Sequence, residues 1–261
     1  MFNAEKTKND IVQWIRDWFA HNGPNCNAII GISGGKDSTI VAALCVEALG
    51  KDRVYGIRMP NGYQRDIVDA IAVCKYLDIH SYEVDIKRAN DALLEGVGWA
   101  LAAMTDCERS VSEQTRINLP PRLRMATLYA IAQSLNGRVA CTDNASESYI
   151  GYSTRWGDGV GDFSPILNLT SDEVIAIGDQ LGLPYDLVHK TPSDGLCGKT
   201  DEDNFGFTYA ELNKYIRTGI CENQEVKEKI DQLHKKNQFK LKPIPSFTYL
   251  PVNIIINKDD K

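Results

Sequence analysis

The sequence predicts an α/β protein: a doubly wound, mainly parallel sheet with helices on both faces. Three observations predict it. Short apolar runs, at 27–32, 53–59, 80–86 and 137–142, alternate with stretches of helical periodicity. The first run stops abruptly in Ser33-Gly34-Gly35 before apolar residues resume at Ile40, the pattern of a strand, a glycine turn and a helix. The first run, with Ala28, Ile29 and Ile30, reads as a buried strand, and short strands alternating with helices imply a parallel sheet covered on both faces. In such sheets ligands bind outside the carboxyl ends of the strands, where the strand order reverses.

The elements follow in order. Ile11, Trp14, Ile15, Trp18 and Phe19 recur at helical spacing and predict a helix over about 5–20; its aromatic face suits either core packing or a subunit interface. The strand at 27–32 leads into a helix at 38–49 that ends at Gly50. The second strand, 53–59, is stopped by Pro60-Asn61-Gly62; a helix at 64–78 and the third strand follow. Helical pattern covers 88–105 and, past a break at Pro120-Pro121, 122–135. After the fourth strand come a glycine-rich loop at 151–163 and a helix at 171–181. A polar stretch at 191–206 precedes helices at 208–217 and 223–236. Loops as long as 151–163 and 191–206 are functional candidates in a compact domain. We expect one domain over 1–261, with the segment from about 208 forming a helical arm and tail.

Composition excludes several classes. The chain has 261 residues, 43% apolar and 25% charged, with 29 basic and 35 acidic side chains for a net charge of −6. That is ordinary globular composition and a poor match to a nucleic-acid binder, which carries a basic surplus. No apolar run is long enough to span a bilayer, and the amino-terminal segment lacks the basic and apolar regions of a signal peptide. The seven cysteines are scattered, odd in number and without a CxxC, so we expect reduced thiols and a cytoplasmic location.

The turn after the first strand reads Gly31-Ile32-Ser33-Gly34-Gly35-Lys36-Asp37-Ser38. It is not a Walker A loop: Ile30 stands where the first glycine belongs, and Asp37 follows Lys36 where Ser or Thr is required. The dinucleotide fingerprint GxGxxG fails as well. Gly34 and Gly35 still permit close backbone approach to an anion at a helix start. Asp37 would repel a bare phosphate but suits a Mg²⁺ placed between them. The plainer reading is a helix cap at Asp37 or Ser38.

Read from residues alone, three later segments stay ambiguous. Arg122 and Arg124 in "NLPPRLRM" suit phosphate or carboxylate, or are two solvated arginines. "CTDNASES" offers Thr142, Asp143 and Glu147 at the end of the fourth strand, or a plain helix cap. "GYSTRWGDGVGD" is a flexible loop carrying Arg155, Trp156, Asp158 and Asp162, or a surface turn.

The "SGGKDS" loop resembles the pyrophosphate loop of the ATP-pyrophosphatase superfamily, with its adenine nucleotide alpha hydrolase-like fold. With the three later segments in this order, the chain resembles the NAD synthetase family over about 5–245. Matching positions are Asn118, Arg122, Arg124 and Met125; Thr142, Asp143 and Glu147; and Thr154, Gly157, Asp158, Gly159 and Asp162. "KTPSDGL" and "GFTYAELNKYI" are similar to later family segments, and "IRMPNGYQ", with Arg58, to one bordering adenine. Departures are Arg155 for Lys, Pro121 for Ala, Ser193 for Thr, and Ser171 where some members have an ATP-contacting Lys. The closing "HKR" is here "FKLK", of which Lys240 carries over.

The resemblance implies a ligase, an ammonia-dependent NAD synthase. The carboxylate of deamido-NAD attacks the α-phosphorus of ATP, pyrophosphate leaves, and ammonia displaces AMP to give NAD. It assigns Gly31, Ile32, Ser33, Gly34, Gly35, Lys36, Asp37 and Ser38, with Arg58, Thr142 and Ser193, to ATP. Asp37 and Glu147 would hold Mg²⁺. Arg122, Arg124, Arg155, Asp162 and Lys240 would hold deamido-NAD, and Asp162 would also position or deprotonate ammonium. A homodimer is implied, with the dinucleotide at the subunit interface. A nitrilase-type glutaminase domain does not fit in this length, so ammonia is expected to be used directly. Two rival classes remain: an adenylating enzyme acting on tRNA, against which the charge argues, and a nucleotide sensor without turnover.

Overall fold

The computed structural model describes residues 2–64, 67–104, 110–189 and 201–249. In chain order the elements are α1 (Ala4–Asn22), β1 (Asn27–Gly31), α2 (Lys36–Leu49), β2 (Val54–Arg58), α3 (Ile67–Tyr76), β3 (His80–Glu83), α4 (Lys87–Ala103) and α5 (Glu113–Ser134). Then come β4 (Gly137–Val139), α6 (Ala145–Ile150), α7 (Ser171–Gln180), α8 (Tyr185–Val188), α9 (Asp201–Phe205), α10 (Tyr209–Thr218) and α11 (Gln224–Asn237). A 3-10 turn at Gln238–Lys240 follows α11.

The four strands are parallel in the order β3-β2-β1-β4. The chain therefore grows outward from β1 through β2 to β3, then returns to the other side of β1 at β4. The order reverses between β1 and β4, which opens a crevice at their carboxyl ends. Beyond β4, Ala140 bridges in parallel to Phe163, and the backbone N–H of Asp162 donates to the Val139 carbonyl at 2.7 Å. The 151–163 loop thus returns to pair with the outer edge of β4.

The apolar run of β1 explains the two-sided core. Ala28 and Ile30 face a cluster built from α1, α2, α3 and α7, with Val12, Ile15, Phe19, Ile40, Leu44, Val73 and Ile177. Ile29 faces the other side, against Ile57, Val139, Ala132 and Leu128 beneath α5. Alternate residues of one strand therefore serve two layers. A third cluster of Ile150, Phe207, Leu212, Val226 and Ile230 ties α6 to α10 and α11. Cover is uneven, since every residue of β3 is exposed. Among the described residues no helix is long and apolar enough to cross a membrane.

Two expectations are corrected, and an alternative left open on α1 is narrowed. Pro120 and Pro121 do not break the helix: α5 starts at Glu113, where the Ser112 side chain accepts from the Thr115 N–H, and runs through both prolines. The prolines leave the carbonyls one turn back without helical donors, yet Pro120 is buried and Gly157 packs against Pro121, so tertiary contact holds the helix. The third and fourth strands are shorter than their apolar runs, because Val84 and Cys141 lie past the regular ladder and bond singly to Arg58 and Phe163. On α1, Phe19 is buried and Trp18 stacks on Phe163 at 5.0 Å, so these two aromatics are core; Trp14 is exposed.

Candidate active site

The turn from β1 to α2 is shaped by its two glycines. Gly34 has φ of 81°, and a Cβ there would lie 2.8 Å from the Ala70 backbone nitrogen, so α3 packs directly on the loop. The left-handed backbone and the close approach both require glycine. The loop is tied internally: the Gly35 N–H donates to Ser33 Oγ at 3.1 Å, Ser38 Oγ donates to the Gly35 carbonyl at 3.1 Å, and the two serine hydroxyls lie 3.2 Å apart. Thr39 Oγ1 also donates to the Gly35 carbonyl, at 2.8 Å. Gly35 is the N-cap of α2 and supplies no side chain, so the helix start is left open to an anion.

Asp37 lies in the first turn of α2, at the crevice. Its Oδ2 receives Lys36 Nζ at 2.7 Å, and its Oδ1 receives the Asn144 amide at 3.2 Å. Asn144 is fully buried and is also the N-cap of α6: its Oδ1 accepts the N–H groups of Ser146 and Glu147. One side chain therefore links the first carboxylate to the helix that carries the second, Glu147. Beside it Asp143 is buried, and burial, followed by the charges of Asp158 and Asp37, pushes its carboxyl up to about 7. Thr142, half-buried, occupies the same turn after β4.

The segment around Arg122 and the 151–163 loop meet. Arg122 Nε donates to the Arg155 carbonyl at 3.2 Å, and Thr154 Oγ1 donates to Asn118 Oδ1 at 2.9 Å. The Thr154 N–H donates to Asp158 Oδ1 at 2.9 Å, turning the loop inward, and a Cβ on Gly159 would lie 2.9 Å from Asp143 Oδ2. The Arg155 guanidinium sits between the rings of Trp156 and Phe239, at 5.0 and 5.2 Å, while its Nε is buried without an acceptor among the described residues.

Other expected residues occupy different places. Arg124 Nε donates to the Met59 carbonyl beyond the end of β2. Arg58 pairs with Glu83 Oε2 at 2.7 Å and with Ser81 Oγ, so its guanidinium is held by β3 rather than turned to the crevice. Asp162 bonds the sheet edge: Oδ2 accepts the Val139 N–H at 2.8 Å and Oδ1 the Tyr129 hydroxyl at 3.4 Å. It lines a recess of about 320 Å³ with Tyr129, Gln133, Asn136 and Arg138, away from the glycine loop.

Lys240 donates from Nζ to the carbonyls of Gly151 and Ser153, at 2.8 and 3.0 Å. It continues a row begun by His234, whose Nδ1 meets the Tyr149 carbonyl, and Asn237, whose amide donates to Ile150. Three side chains of α11 and its 3-10 turn thereby cap the carboxyl end of α6. Ser171 is buried and accepts from the Asn213 amide at 3.0 Å. Ser193 lies outside the described residues, as do 191–200 of the polar stretch.

The sequence reading gave no role to Asn144 beyond a cap, nor to His234, Asn237 or Asn213. The cap pattern Asn144-x-x-Glu147 was visible, but its reach to Asp37 depends on β1 and β4 being neighbours.

The family model for NAD synthase matches residues 7–244. The NH(3)-dependent NAD(+) synthetase of Finegoldia magna is 35% identical, over 95% of this chain and 98% of its own length. That of Pyrococcus horikoshii is 36% identical, over 93% and 96%. Among solved structures, the NMN synthetase of Francisella tularensis superposes with a TM-score of 0.84 at 32% identity, covering 95% of this chain and all of that one. Alike in sequence along its length and in overall fold, the chain belongs to the NAD synthase family and is a ligase.

Proposed function

We propose that the protein amidates deamido-NAD with ammonia, using ATP and releasing AMP and pyrophosphate. The observation that carries the reading is the Asn144–Asp37 bond, which joins the glycine loop of β1 to the acidic turn of β4 across the switch point. ATP lies with its phosphates at the open start of α2, where backbone dipoles and Lys36 meet negative charge.

Asp37 and Glu147, linked through Asn144, would hold Mg²⁺. No preformed cluster of three metal-ligating side chains exists among the described residues. Mg²⁺ normally takes one or two carboxylates and completes its shell with water and phosphate oxygens. When bound, the ion supplies charge neutralisation at the phosphates. The chain supplies positioning, which is most of what phosphoryl transfer needs.

The substrate carboxylate oxygen bonds to the α-phosphorus as the bond to pyrophosphate breaks. Ammonia then adds to the acyl carbon, AMP leaves, and one proton is released. The dinucleotide runs along α5 beside β4. Arg122 and Arg155, with its unmatched Nε, take the acidic end, and the recess at Tyr129 and Asp162 takes the far nucleoside. Lys240 contributes by holding the 151–153 backbone that presents Arg155. Arg124, Arg58 and Thr142 border the nucleotide end, and Ser193 completes it in this reading.

The catalytic unit spans 1–261 and works in the cytoplasm as a homodimer. Support for the dimer comes from α4 and α5, where Leu93, Val97, Trp99 and Ile117 are exposed. Paired helices with so much apolar surface suit a second copy.

One observation favours a second reading. The superposition on an NMN synthetase points to the acid mononucleotide as substrate. A single assay tests both. Protein, Mg-ATP and ammonium are mixed with deamido-NAD or with nicotinic acid mononucleotide, and products are resolved by chromatography. NAD and AMP from the dinucleotide support the first reading, and turnover of the mononucleotide alone supports the second. ADP as the product, or no amide from either acid, refutes both.

A further inference from the structure

The helix that carries Glu147, α6, has six residues, too few to set its own direction. Tertiary bonds must set it. Asn144 caps its start, and His234, Asn237 and Lys240 hold its end. Another anchor lies between them. Ser146 is fully buried, and its Oγ donates to Asn213 Oδ1 on α10 at 2.6 Å while accepting the Ser171 N–H at 3.0 Å. Asn213, 5% exposed, turns its amide to Ser171 Oγ at 3.0 Å and to Asp172 Oδ1 at 2.8 Å. One side chain of the carboxyl-terminal arm thus joins α6 to the start of α7.

We propose that Asn213 is a positioning residue for Glu147: through Ser146 it sets where the second carboxylate stands relative to Asp37, so that the arm helps to build the metal site. The inference rests on the reading of Glu147 as a metal ligand and deepens it, since Asn213 acts through α6 rather than on the ion.

An amide suits this place better than its near-isosteres. Its oxygen accepts the Ser146 hydroxyl, which itself takes the Ser171 N–H, and its two N–H groups serve Ser171 and Asp172. A carboxylate at 213 would face Asp172 Oδ1 across 2.8 Å, and an apolar side chain would strand buried polar groups. Mg²⁺ tolerates little error in its ligands, because it takes near-octahedral geometry at about 2.1 Å. Ser146 directly precedes Glu147, so a shift at Ser146 is passed on to the carboxylate. One turn further along α10, Arg217 makes a separate tie. Its Nε donates to Glu173 Oε1 at 2.9 Å and its Nη2 to the Asn168 carbonyl at 2.8 Å. That tie ends on α7 and the segment before it. It therefore separates holding the arm from placing Glu147.

The test is Mn²⁺ binding to purified protein in the presence of α,β-methylene-ATP, whose α–β bridge cannot be cleaved. Binding is read by the loss of the free-ion electron-paramagnetic-resonance signal. Asn213→Leu, close to asparagine in size, is expected to weaken Mn²⁺ binding about tenfold, the low end for a residue standing behind a metal ligand. Ser146→Ala should do the same, and the double variant should be no worse than either single one, since both break one link. Arg217→Met loosens the arm without touching α6 and should leave Mn²⁺ affinity near wild type. Unchanged Mn²⁺ affinity in Asn213→Leu, or an equal loss in Arg217→Met, overturns the proposal. If Asn213→Leu does not fold, Ser146→Ala carries the test, and unchanged affinity there overturns it. Glu147→Gln separates the two levels. If it weakens Mn²⁺ binding while Asn213→Leu does not, Glu147 stands as a ligand and only the role of Asn213 falls. If Glu147→Gln leaves Mn²⁺ binding intact, the metal assignment fails and the Asn213 proposal fails with it.

Discussion

Asn144 donates its amide to Asp37 Oδ1 at 3.2 Å while its own oxygen receives the N–H groups of Ser146 and Glu147 at 2.9 and 3.1 Å. A residue from the end of β4 thus fixes a carboxylate after β1. Two functions can be separated by substitution. Asn144→Ala loses the cap, at about 1 kcal/mol, and the hold on Asp37. Asn144→Ser keeps a capping oxygen but cannot reach Asp37. We expect both to lower kcat, and only the alanine variant to lower the urea midpoint appreciably. An unchanged kcat in Asn144→Ser would show that the cap is the whole role.

The glycine loop offers a sharper backbone test. Gly34→Ala forces a side chain into a left-handed position, at about 1–2 kcal/mol, and against the Ala70 nitrogen at 2.8 Å. The loop must move away from α3. KM for ATP should rise at least tenfold in steady-state assays, while far-ultraviolet circular dichroism stays unchanged. An ordinary KM would mean that the loop does not seat the phosphates.

Lys240 is expected to act through the loop it holds. Lys240→Met removes two donors from the carbonyls of Gly151 and Ser153. Hydrogen–deuterium exchange across 151–159 should quicken, and KM for the acid substrate should rise with little change in nucleotide affinity. Gly151→Ala should be more severe, because its φ is +65° and a Cβ would lie 2.2 Å from that of Asn237. Unaltered exchange in the lysine variant would assign Lys240 to direct substrate contact instead.

The buried Asp143 gives a pH signature. Its carboxyl titrates at about 7 in the folded chain against an ordinary 3.8. The native state therefore holds a proton that the unfolded chain releases. This contribution is complete below about pH 4 and is lost as pH rises through 7. At about 1.4 kcal/mol per unit the swing is a few kcal/mol. Without metal, wild-type urea midpoints should fall between pH 4 and 8, and Asp143→Asn should flatten that fall and be the more stable protein at pH 8. Parallel profiles would remove Asp143 as the source.

The proposed dimer face can be disrupted at its apolar residues. Val97→Glu with Ile117→Glu places charge on α4 and α5, and sedimentation should shift from twice the chain mass to the chain mass. Trp14→Glu, on the far layer, should leave the dimer intact. Dissociation by the Trp14 variant alone would move the interface to α1.

Much of this protein was legible in its sequence, for reasons local to the chain. Short strand-like runs alternating with helical periodicity determined a parallel α/β sheet, because each helix between successive strands makes the crossover that parallel pairing needs. Ser33-Gly34-Gly35 determined a tight turn whose left-handed position, Gly34, requires glycine, and the ordered motifs carried the family. The course of the chain past Pro120-Pro121 was not legible, since packing of that segment on Thr154 and Gly157 outweighs the missing donors. Nor were the partners of Asp37, Arg58, Asp162 and Lys240. A side chain's hydrogen bonds depend on which segments become neighbours, and that followed from the placing of β4 beside β1. Tertiary structure alone decided that Asn144 meets Asp37, that Arg58 serves β3, and that Lys240 caps α6, because these contacts join residues 25 to 107 positions apart.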